Sequence, residues 1–292
     1  MSPEFIDTHV HFWDLKHPTL TYEWLSPAAV HPILGDIDPI KSTRFDAAAL
    51  WAEGRFTGLS GAVHVQAAVG TADPVQETEW LTALAANSPV PLVLVAGCDL
   101  AAGDAQEQLE RHNASPLLRG IRDFGRGDYL CDPAFERGFS LLERYGLLSD
   151  LDCAWPDMPK ARDLARRHPA IPVVLEHIGY PRDTADPEYF RNWQDGIRTI
   201  AEAPNVICKV SGLGMNRPGW TVESLRPWVR HCIETFTPDR CVFGTNWPVD
   251  RLYGPYEAYV RAFLEIIAEY DESEQIAMLR GNAERLYRIG ST

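Results

Sequence analysis

Eight short apolar segments recur along the whole chain, and each is followed by a stretch with helical periodicity. Strands that alternate with helices imply βαβ units and a parallel sheet. Eight such units imply a closed barrel, a fold that needs about 250 residues. The 292-residue chain shows no composition break and no linker. We therefore predict one α/β domain over residues 1–292, built as a (β/α)8 TIM barrel.

The predicted elements follow one another from end to end of the chain. The predicted strands cover residues 5–13, 59–67, 91–97, 118–124, 148–154, 173–179, 206–212 and 240–247. The predicted helices cover residues 45–53, 77–86, 105–112, 133–145, 160–168, 189–202, 222–236, 256–270 and 272–287. A long loop rich in proline and tryptophan runs from about Trp13 to Ser42. Long loops in compact domains usually carry function, so we interpret this one as a lid or pocket wall.

Composition limits the classes of partner. Acidic residues outnumber basic ones 41 to 27, which gives a formal charge of −14 and argues against nucleic acid and anionic membranes as partners. The sequence contains no run of eighteen apolar residues, so it predicts no transmembrane helix, and residues 1–4 do not resemble a secretory signal. The six cysteines form no Cys-x-x-Cys pair, which is typical of free thiols in a reducing cytoplasm. We expect a small-molecule substrate, and a homo-oligomer remains open.

The first strand, FIDTHVHFW from Phe5 to Trp13, contains a His-x-His pair. Residues two apart lie on the same face of a strand, so His9 and His11 should point the same way. They could meet a metal ion, a substrate oxygen or a buried hydrogen-bond partner. A bare His-x-His is a short pattern, so a buried polar pair without a catalytic role stays an equal alternative at this point.

Polar side chains recur at the ends of most predicted strands, where barrel enzymes hold their catalytic groups. Such residues are costly in a barrel core unless they form a site, so we predict that they line one cavity. Two of them, Arg122 and Lys209, are cations in an acidic chain, and this predicts an anionic or strongly polar substrate. The strand-end residues are His9, His11, Gln66, Arg122, Asp152, His177, Lys209 and Asn246, with Asp250 just beyond, and Trp13 and Trp247 adjoin them.

Several motifs resemble the amidohydrolase superfamily over residues 5–287. They are IDTHVHFW from Ile6, VQA from Val65, ETEWL from Glu77, GCDL from Gly97, RGIR from Arg119, EHIG from Glu176, PNV from Pro204, CKVSGL from Cys208 and FGTNWPV from Phe243. The match is closer to the lactonase branch, which includes L-fuconolactonase, L-rhamnonolactonase and pyrone-dicarboxylate lactonase. The resemblance implies an amidohydrolase-like, distorted barrel that hydrolyses esters, amides or lactones, in a family with both metal-free and single-zinc members.

Two positions depart from the family pattern. Binuclear members carry a carboxylated lysine on the fourth strand and a histidine on the fifth, whereas this chain has Arg122 and Asp152. A two-metal site is therefore not expected. The strand-eight position is usually aspartate, but here it is Asn246, and an amide has no useful basicity. Either Asp250, four residues further on, acts as the base, or the chemistry differs.

The predicted activity is hydrolysis of a small polar or anionic lactone, a sugar-acid or ring-fission lactone, by attack of an activated water on the ester carbonyl. The candidate catalytic residues are Asp250, Asn246, His177 and Asp152, and the candidate substrate-binding residues are Gln66, Arg122, Lys209, Trp13 and Trp247. One divalent metal, zinc first, could be held by His9, His11 and His177 with water as fourth ligand. Metal-free catalysis is equally open. The alternatives are a lyase, decarboxylase or lactone isomerase in the same barrel, and a catalytically silent binding protein.

Overall fold

The predicted barrel is present in the computed structural model, which describes residues 3–26, 31 and 34–290. Eight parallel strands follow one another in chain order around a single sheet. A bridge between Val10 and Trp247 joins the last strand region to the first. The strands are β1 (Phe5–Val10), β2 (Leu59–Val65), β3 (Leu92–Gly97), β4 (Leu118–Asp123), β5 (Leu148–Leu151), β6 (Val173–Leu175), β7 (Val206–Val210) and β8 (Cys241–Phe243).

Helices connect the strands and cover the outside of the barrel. They are α1 (Ala47–Gly54), α2 (Val75–Ala85), α3 (Ala105–His112), α4 (Pro133–Tyr145), α5 (Met158–Arg167), α6 (Pro187–Ala201), α7 (Leu213–Asn216), α8 (Val222–Phe236), α9 (Tyr256–Ile267), α10 (Glu272–Ile276) and α11 (Asn282–Tyr287). Each predicted helix overlaps an observed one. The last predicted helix is interrupted by a π-turn over Ala277–Gly281, and the short α7 was not predicted.

Local sequence signals fix the ends of several helices, as α4 shows. Asp132 accepts a hydrogen bond from the Ala134 amide at 2.7 Å, and Pro133 occupies the first helical position, where a missing N–H costs nothing. Gly146 ends the helix with a φ of 61°, a left-handed conformation that glycine adopts without strain. The strand that follows, β5, therefore begins directly at Leu148.

Two apolar clusters fill the molecule. The larger one lies between the strands and the surrounding helices. The smaller one contains alternate residues of several strands, among them Val63, Val65 and Val93, together with the C-terminal Tyr287 and Ile289. Because the C-terminal residues pack into this inner cluster, they close the barrel at the end opposite the strand-end polar residues.

The later strands are shorter than predicted because their polar ends leave the sheet. β6 ends at Leu175, and Glu176–Gly179 forms a tight turn in which His177 and Ile178 both have a φ of 50°. β8 ends at Phe243, and Asn246 has a φ of 58°. Left-handed conformations are costly for residues with a side chain and are common at functional sites. The strand ends thus turn their polar side chains toward one region.

The long loop predicted as a lid or pocket wall is closed at its base by strand pairing, and its middle packs on the segment after β2. Trp13–Asp14 pairs with Arg44–Phe45 in a two-stranded sheet, and the Trp24 indole donates to the Ala67 carbonyl at 2.8 Å. Residues 27–30 and 32–33 of this loop lie outside the described residues.

The six cysteines are free thiols, as predicted. Among the described helices, none combines the length and the apolar character that a membrane span requires.

Candidate active site

The His-x-His pair lies at the end of β1, and its two rings face each other. The Nε2 atoms of His9 and His11 are 3.1 Å apart, and His11 Nδ1 lies 2.8 Å from the Val65 carbonyl oxygen. Burial, followed by the charge of Arg122, lowers the pKa of His11 to about 3. Burial also lowers the pKa of His9 well below its ordinary value, so both rings are neutral near pH 7 and one donates a hydrogen bond to the other. The same-face prediction for this pair is confirmed.

Arg122, at the end of β4, is held by an acid that sequence reasoning missed. Its Nη2 lies 2.8 Å from Glu176 Oε2, and the Tyr180 hydroxyl donates to the same oxygen at 3.0 Å. The guanidinium also stacks over Phe124 at 4.1 Å. Arg122 Nε is buried and has no hydrogen-bond partner within the described part of the chain. A buried donor without a partner is costly, so this N–H is available for a substrate oxygen.

The Glu176 signal was present in the sequence, because a carboxylate directly follows the apolar run Val173–Leu175. Glu176 Oε1 also lies 3.6 Å from His9 Nδ1, which links the two sides of the site.

His177 is positioned by a strained turn and by three contacts. Its Nδ1 lies 2.8 Å from the Ser211 hydroxyl, and its carbonyl accepts a hydrogen bond from the Asn216 amide at 3.2 Å. The ring centroid is 4.4 Å from that of His9. Burial lowers the pKa of His177 well below its ordinary value, so this ring is neutral as well. It can act as a hydrogen-bond donor or acceptor rather than as a fixed cation.

Lys209 lies beneath the site in a buried ion pair. Its Nζ is 2.5 Å from Asp150 Oδ2, and both side chains are fully buried. The ammonium also lies 5.7 Å from the ring centroid of Tyr287, which belongs to the inner apolar cluster. Lys209 therefore sits between the polar strand ends and the barrel core, with its charge matched by Asp150.

Asn246 and Asp250 form a buried unit. The Asn246 amide donates to Asp250 Oδ1 at 2.9 Å, while the amides of Gly214 and Met215 donate to the Asp250 carboxylate at 2.8 and 3.3 Å. Burial raises the pKa of Asp250 to about 7, against the lowering effect of these hydrogen bonds. Both oxygens of Asp250 are thus occupied by donors of the protein.

A cavity of about 270 Å³ opens at this end of the barrel. Six of the predicted residues line it: His11, Gln66, Arg122, Asp152, His177 and Asn246. His9, Lys209, Asp250, Trp13 and Trp247 do not line it and are fully buried around it. Burial raises the pKa of the lining carboxyl, Asp152, to about 6. Sequence reasoning missed the other lining residues, chiefly Tyr180, Arg182, Phe124 and Met215, because single aromatic, basic or apolar residues in loops carry no distinguishing pattern.

Beside the cavity, three side chains other than the predicted three histidines fit a divalent metal. Within the described ranges, His9, Asp150 and Glu176 are the histidine and acidic side chains that place one potential ligand atom each within 4.8 Å of one another. His9 Nδ1, Asp150 Oδ1 and Glu176 Oε1 are all buried and have no hydrogen-bond partner among the described residues. Imidazole nitrogen and carboxylate oxygen suit zinc and similar ions. The trio inferred from the sequence, His9, His11 and His177, shares only His9 with this group and stays a prediction.

Comparison with known proteins places this chain in a family. The amidohydrolase family model matches residues 6–289. An uncharacterised protein, y4mH, of Sinorhizobium fredii is 36% identical, covering 97% of this chain and 98% of the relative. The L-fucono-1,5-lactonase of Burkholderia ambifaria is 28% identical over 97% of this chain and 95% of its own.

A solved structure agrees on the fold. A zinc-bound amidohydrolase from Burkholderia multivorans superposes with a TM-score of 0.82 at 24% identity, covering 98% of this chain and all of that one. The match to the amidohydrolase family model spans nearly the whole sequence, so this chain belongs to the amidohydrolase family.

Proposed function

We propose that the protein hydrolyses a small lactone to its hydroxy acid. The observation that carries this proposal is the buried Nε of Arg122, a donor without a partner in the described structure, on a residue of the cavity wall. A donor of this kind stabilises the negative charge that develops on an ester carbonyl oxygen during attack by water. The lactonase named among the relatives, at 28% identity, supports the same reaction class.

In this mechanism, Asp152 acts as the acid–base group. It accepts a proton as the water oxygen attacks the carbonyl carbon, and it returns the proton to the ring oxygen when the acyl–oxygen bond breaks. One residue thus balances both proton transfers. Its place in the cavity wall, beside Arg122, supports this role.

Asn246, His177 and Gln66 orient the reactants. The Asn246 amide nitrogen donates to Asp250, which leaves its amide oxygen to accept a hydrogen bond from the attacking water. Asp250 is then a positioning residue, because both its oxygens are occupied and it does not line the cavity. Gln66 Oε1 is buried and has no hydrogen-bond partner in the described part of the chain, so it accepts a hydrogen bond from a substrate hydroxyl.

A divalent metal, when bound, would be held by His9, Asp150 and Glu176, or by the three histidines, and would add Lewis-acid polarisation of the carbonyl. The zinc in the Burkholderia multivorans amidohydrolase supports that occupancy. The proton steps assigned to Asp152 use only residues of this chain.

The test is a pH-stat assay of five- and six-membered lactones on the parent protein and on Arg122→Lys. Lysine keeps the charge beside Glu176 but removes the Nε donor. We expect kcat/KM to fall by about 100-fold or more, the usual effect of losing an oxyanion donor. Arg191→Gln removes an arginine from the exposed face of α6 and serves as the control. Hydrolysis of no lactone, or an unchanged kcat/KM in Arg122→Lys, would refute the proposal.

Asn246 favours one alternative, a decarboxylation in the same cavity. An amide cannot deprotonate a water, and loss of carbon dioxide requires no hydrolytic water. This candidate predicts that the protein releases carbon dioxide from carboxylated phenols and that lactones cause no consumption of base in the pH-stat assay. Measuring both products in parallel separates the two reactions.

A further inference from the structure

The cavity mouth carries a second arginine, Arg182, which the mechanism above does not use. Arg182 lines the cavity and is exposed, and its guanidinium lies 5.2 Å from the centre of the Tyr180 ring. Tyr180 is itself fixed by hydrogen bonds to Arg122 and Glu176. Arg182 is therefore held against a rigid aromatic surface at the entrance of the site.

Unlike the deeper cations, Arg182 has no carboxylate partner. Arg122 is paired with Glu176 and Lys209 with Asp150. No ion pair of the described chain includes Arg182, and the acid that feels its charge is Asp152 in the same wall, whose pKa burial raises and Arg182 lowers. In a chain with so many acids, an unpaired arginine at a cavity mouth is available to a ligand.

The field of Arg182 reaches the reacting groups. Burial, then the charges of Arg122 and Lys209, and then Arg182 lower the pKa of His177. Among the charged lining residues, two arginines face one acid, Asp152. Because Glu176 balances Arg122, the solvent-facing positive charge of the wall is that of Arg182, at the mouth, where it can attract an anion.

Beside its polar lining residues, the wall has an apolar part. It includes Trp24, Leu34, Val69, Phe124, Met215 and Val249. Sugar hydroxyls placed against these side chains would lose their hydrogen bonds to water without replacement. Apart from a hydroxyl that Gln66 can bind, this part of the wall suits a ring with few hydroxyl groups better than a polyhydroxylated one.

We propose that Arg182 is a specificity-determining residue that binds a carboxylate of the substrate, and that the substrate is an acid-bearing lactone with few hydroxyl groups. This inference rests on the proposed function for the lactone part. Its anion-binding part stands on Arg182 and the cavity wall alone, and it can be tested without turnover.

The kinetic test compares γ-butyrolactone bearing a carboxylate next to the ring oxygen with the methyl ester of the same compound. The parent should prefer the carboxylate form. Arg182→Gln should raise KM for that form about 10-fold, the lower end for a hydrogen bond to a charged group, with little change in kcat. The methyl ester should be unaffected, and Arg182→Lys should recover part of the loss. Arg191→Gln removes the same charge outside the cavity and should change nothing.

The binding test keeps the two proposals distinguishable. Calorimetry measures the affinity of a cyclopentanone bearing a ring carboxylate, which cannot be hydrolysed, against its carboxamide. Preference for the carboxylate in the parent, lost in Arg182→Gln, supports the anion site even if no lactone is turned over. Equal affinity of the two compounds, binding of neither, or an unchanged preference in Arg182→Gln overturns it. Turnover of lactones without such a preference would leave the lactonase proposal intact and remove Arg182 from it.

Discussion

Replacing Lys209 by methionine should destabilise the fold strongly. Lys209 Nζ is 2.5 Å from Asp150 Oδ2, and neither side chain reaches solvent. The substitution leaves the Asp150 carboxylate buried without its cation, while its Oδ1 already has no partner in the described structure. Breaking a buried pair from one side costs about 3–5 kcal/mol. We expect the unfolding free energy to fall by that amount.

The double variant Asp150→Leu with Lys209→Met should recover most of the loss. An apolar pair of similar volume that replaces a buried ion pair is often neutral or stabilising by about 1–4 kcal/mol. The measurement is urea unfolding followed by tryptophan fluorescence, with a double-mutant cycle to extract the coupling energy. Arg261→Met, which breaks an exposed pair with Glu257, is the control and should cost under about 1 kcal/mol.

Two results would refute this reasoning. A loss below about 1 kcal/mol in Lys209→Met would mean that the pair is hydrated or rearranges easily. No recovery in the double variant would mean that Lys209 stabilises the fold through other contacts. Activity gives a separate answer, because a stable double variant that retains lactone hydrolysis would exclude Lys209 from the substrate-binding residues.

Three further predictions concern the Asn246–Asp250 unit and the metal. Asp250→Asn should lower kcat about 10-fold and the unfolding free energy by about 1–3 kcal/mol, because the new side-chain NH2 group would face backbone N–H groups that donate hydrogen bonds to Asp250. Unchanged kinetics of this variant in a pH-stat assay would contradict the positioning role of Asp250. Burial raises the pKa of Asp250 from 3.8 to about 7. Between these pH values the folded chain holds a proton that the unfolded chain has released, so the unfolding free energy should fall as pH rises from about 4 to about 7. Urea titrations across this range should show that contribution in the parent and not in Asp250→Asn. Zinc content by mass spectrometry should fall in Glu176→Gln but not in the surface control Asp99→Asn, and equal content in both would exclude Glu176 as a ligand.

The barrel was predictable because its determinants are local. The apolar runs and the His-x-His alternation each act over a few residues, and both reappear in the structure. The same-face placement of His9 and His11 followed directly from the period of a strand. Strand ends were less predictable, because the left-handed turn at His177 depends on its contacts with Ser211 and Asn216, which are distant in sequence.

The buried hydrogen bonds and ion pairs around the cavity could not be predicted from the sequence, because their partners are also distant in sequence. Asp7 accepts hydrogen bonds from Thr245, 238 residues away, and from the Tyr256 hydroxyl. Asp150 meets Lys209 across 59 positions. No periodicity connects such partners, so a single sequence gives the residue types at the strand ends but not which acid neutralises which base.

This pairing changes the argument about substrate recognition. From the sequence, Arg122 and Lys209 looked like two free cations that would select an anion. In the structure each has its own buried carboxylate, so neither contributes a full unbalanced charge to the cavity. Among the described residues that line the cavity, a ligand can meet one buried donor without a partner, Arg122 Nε, and one guanidinium outside any ion pair, Arg182, at the mouth. A donor that is pre-oriented in a buried site suits a developing oxyanion, whereas an exposed, stacked guanidinium suits a carboxylate that arrives from solvent. In the proposed mechanism, the two arginines divide catalysis and selection between the floor and the rim of one cavity, and substituting each alone should affect kcat and KM separately.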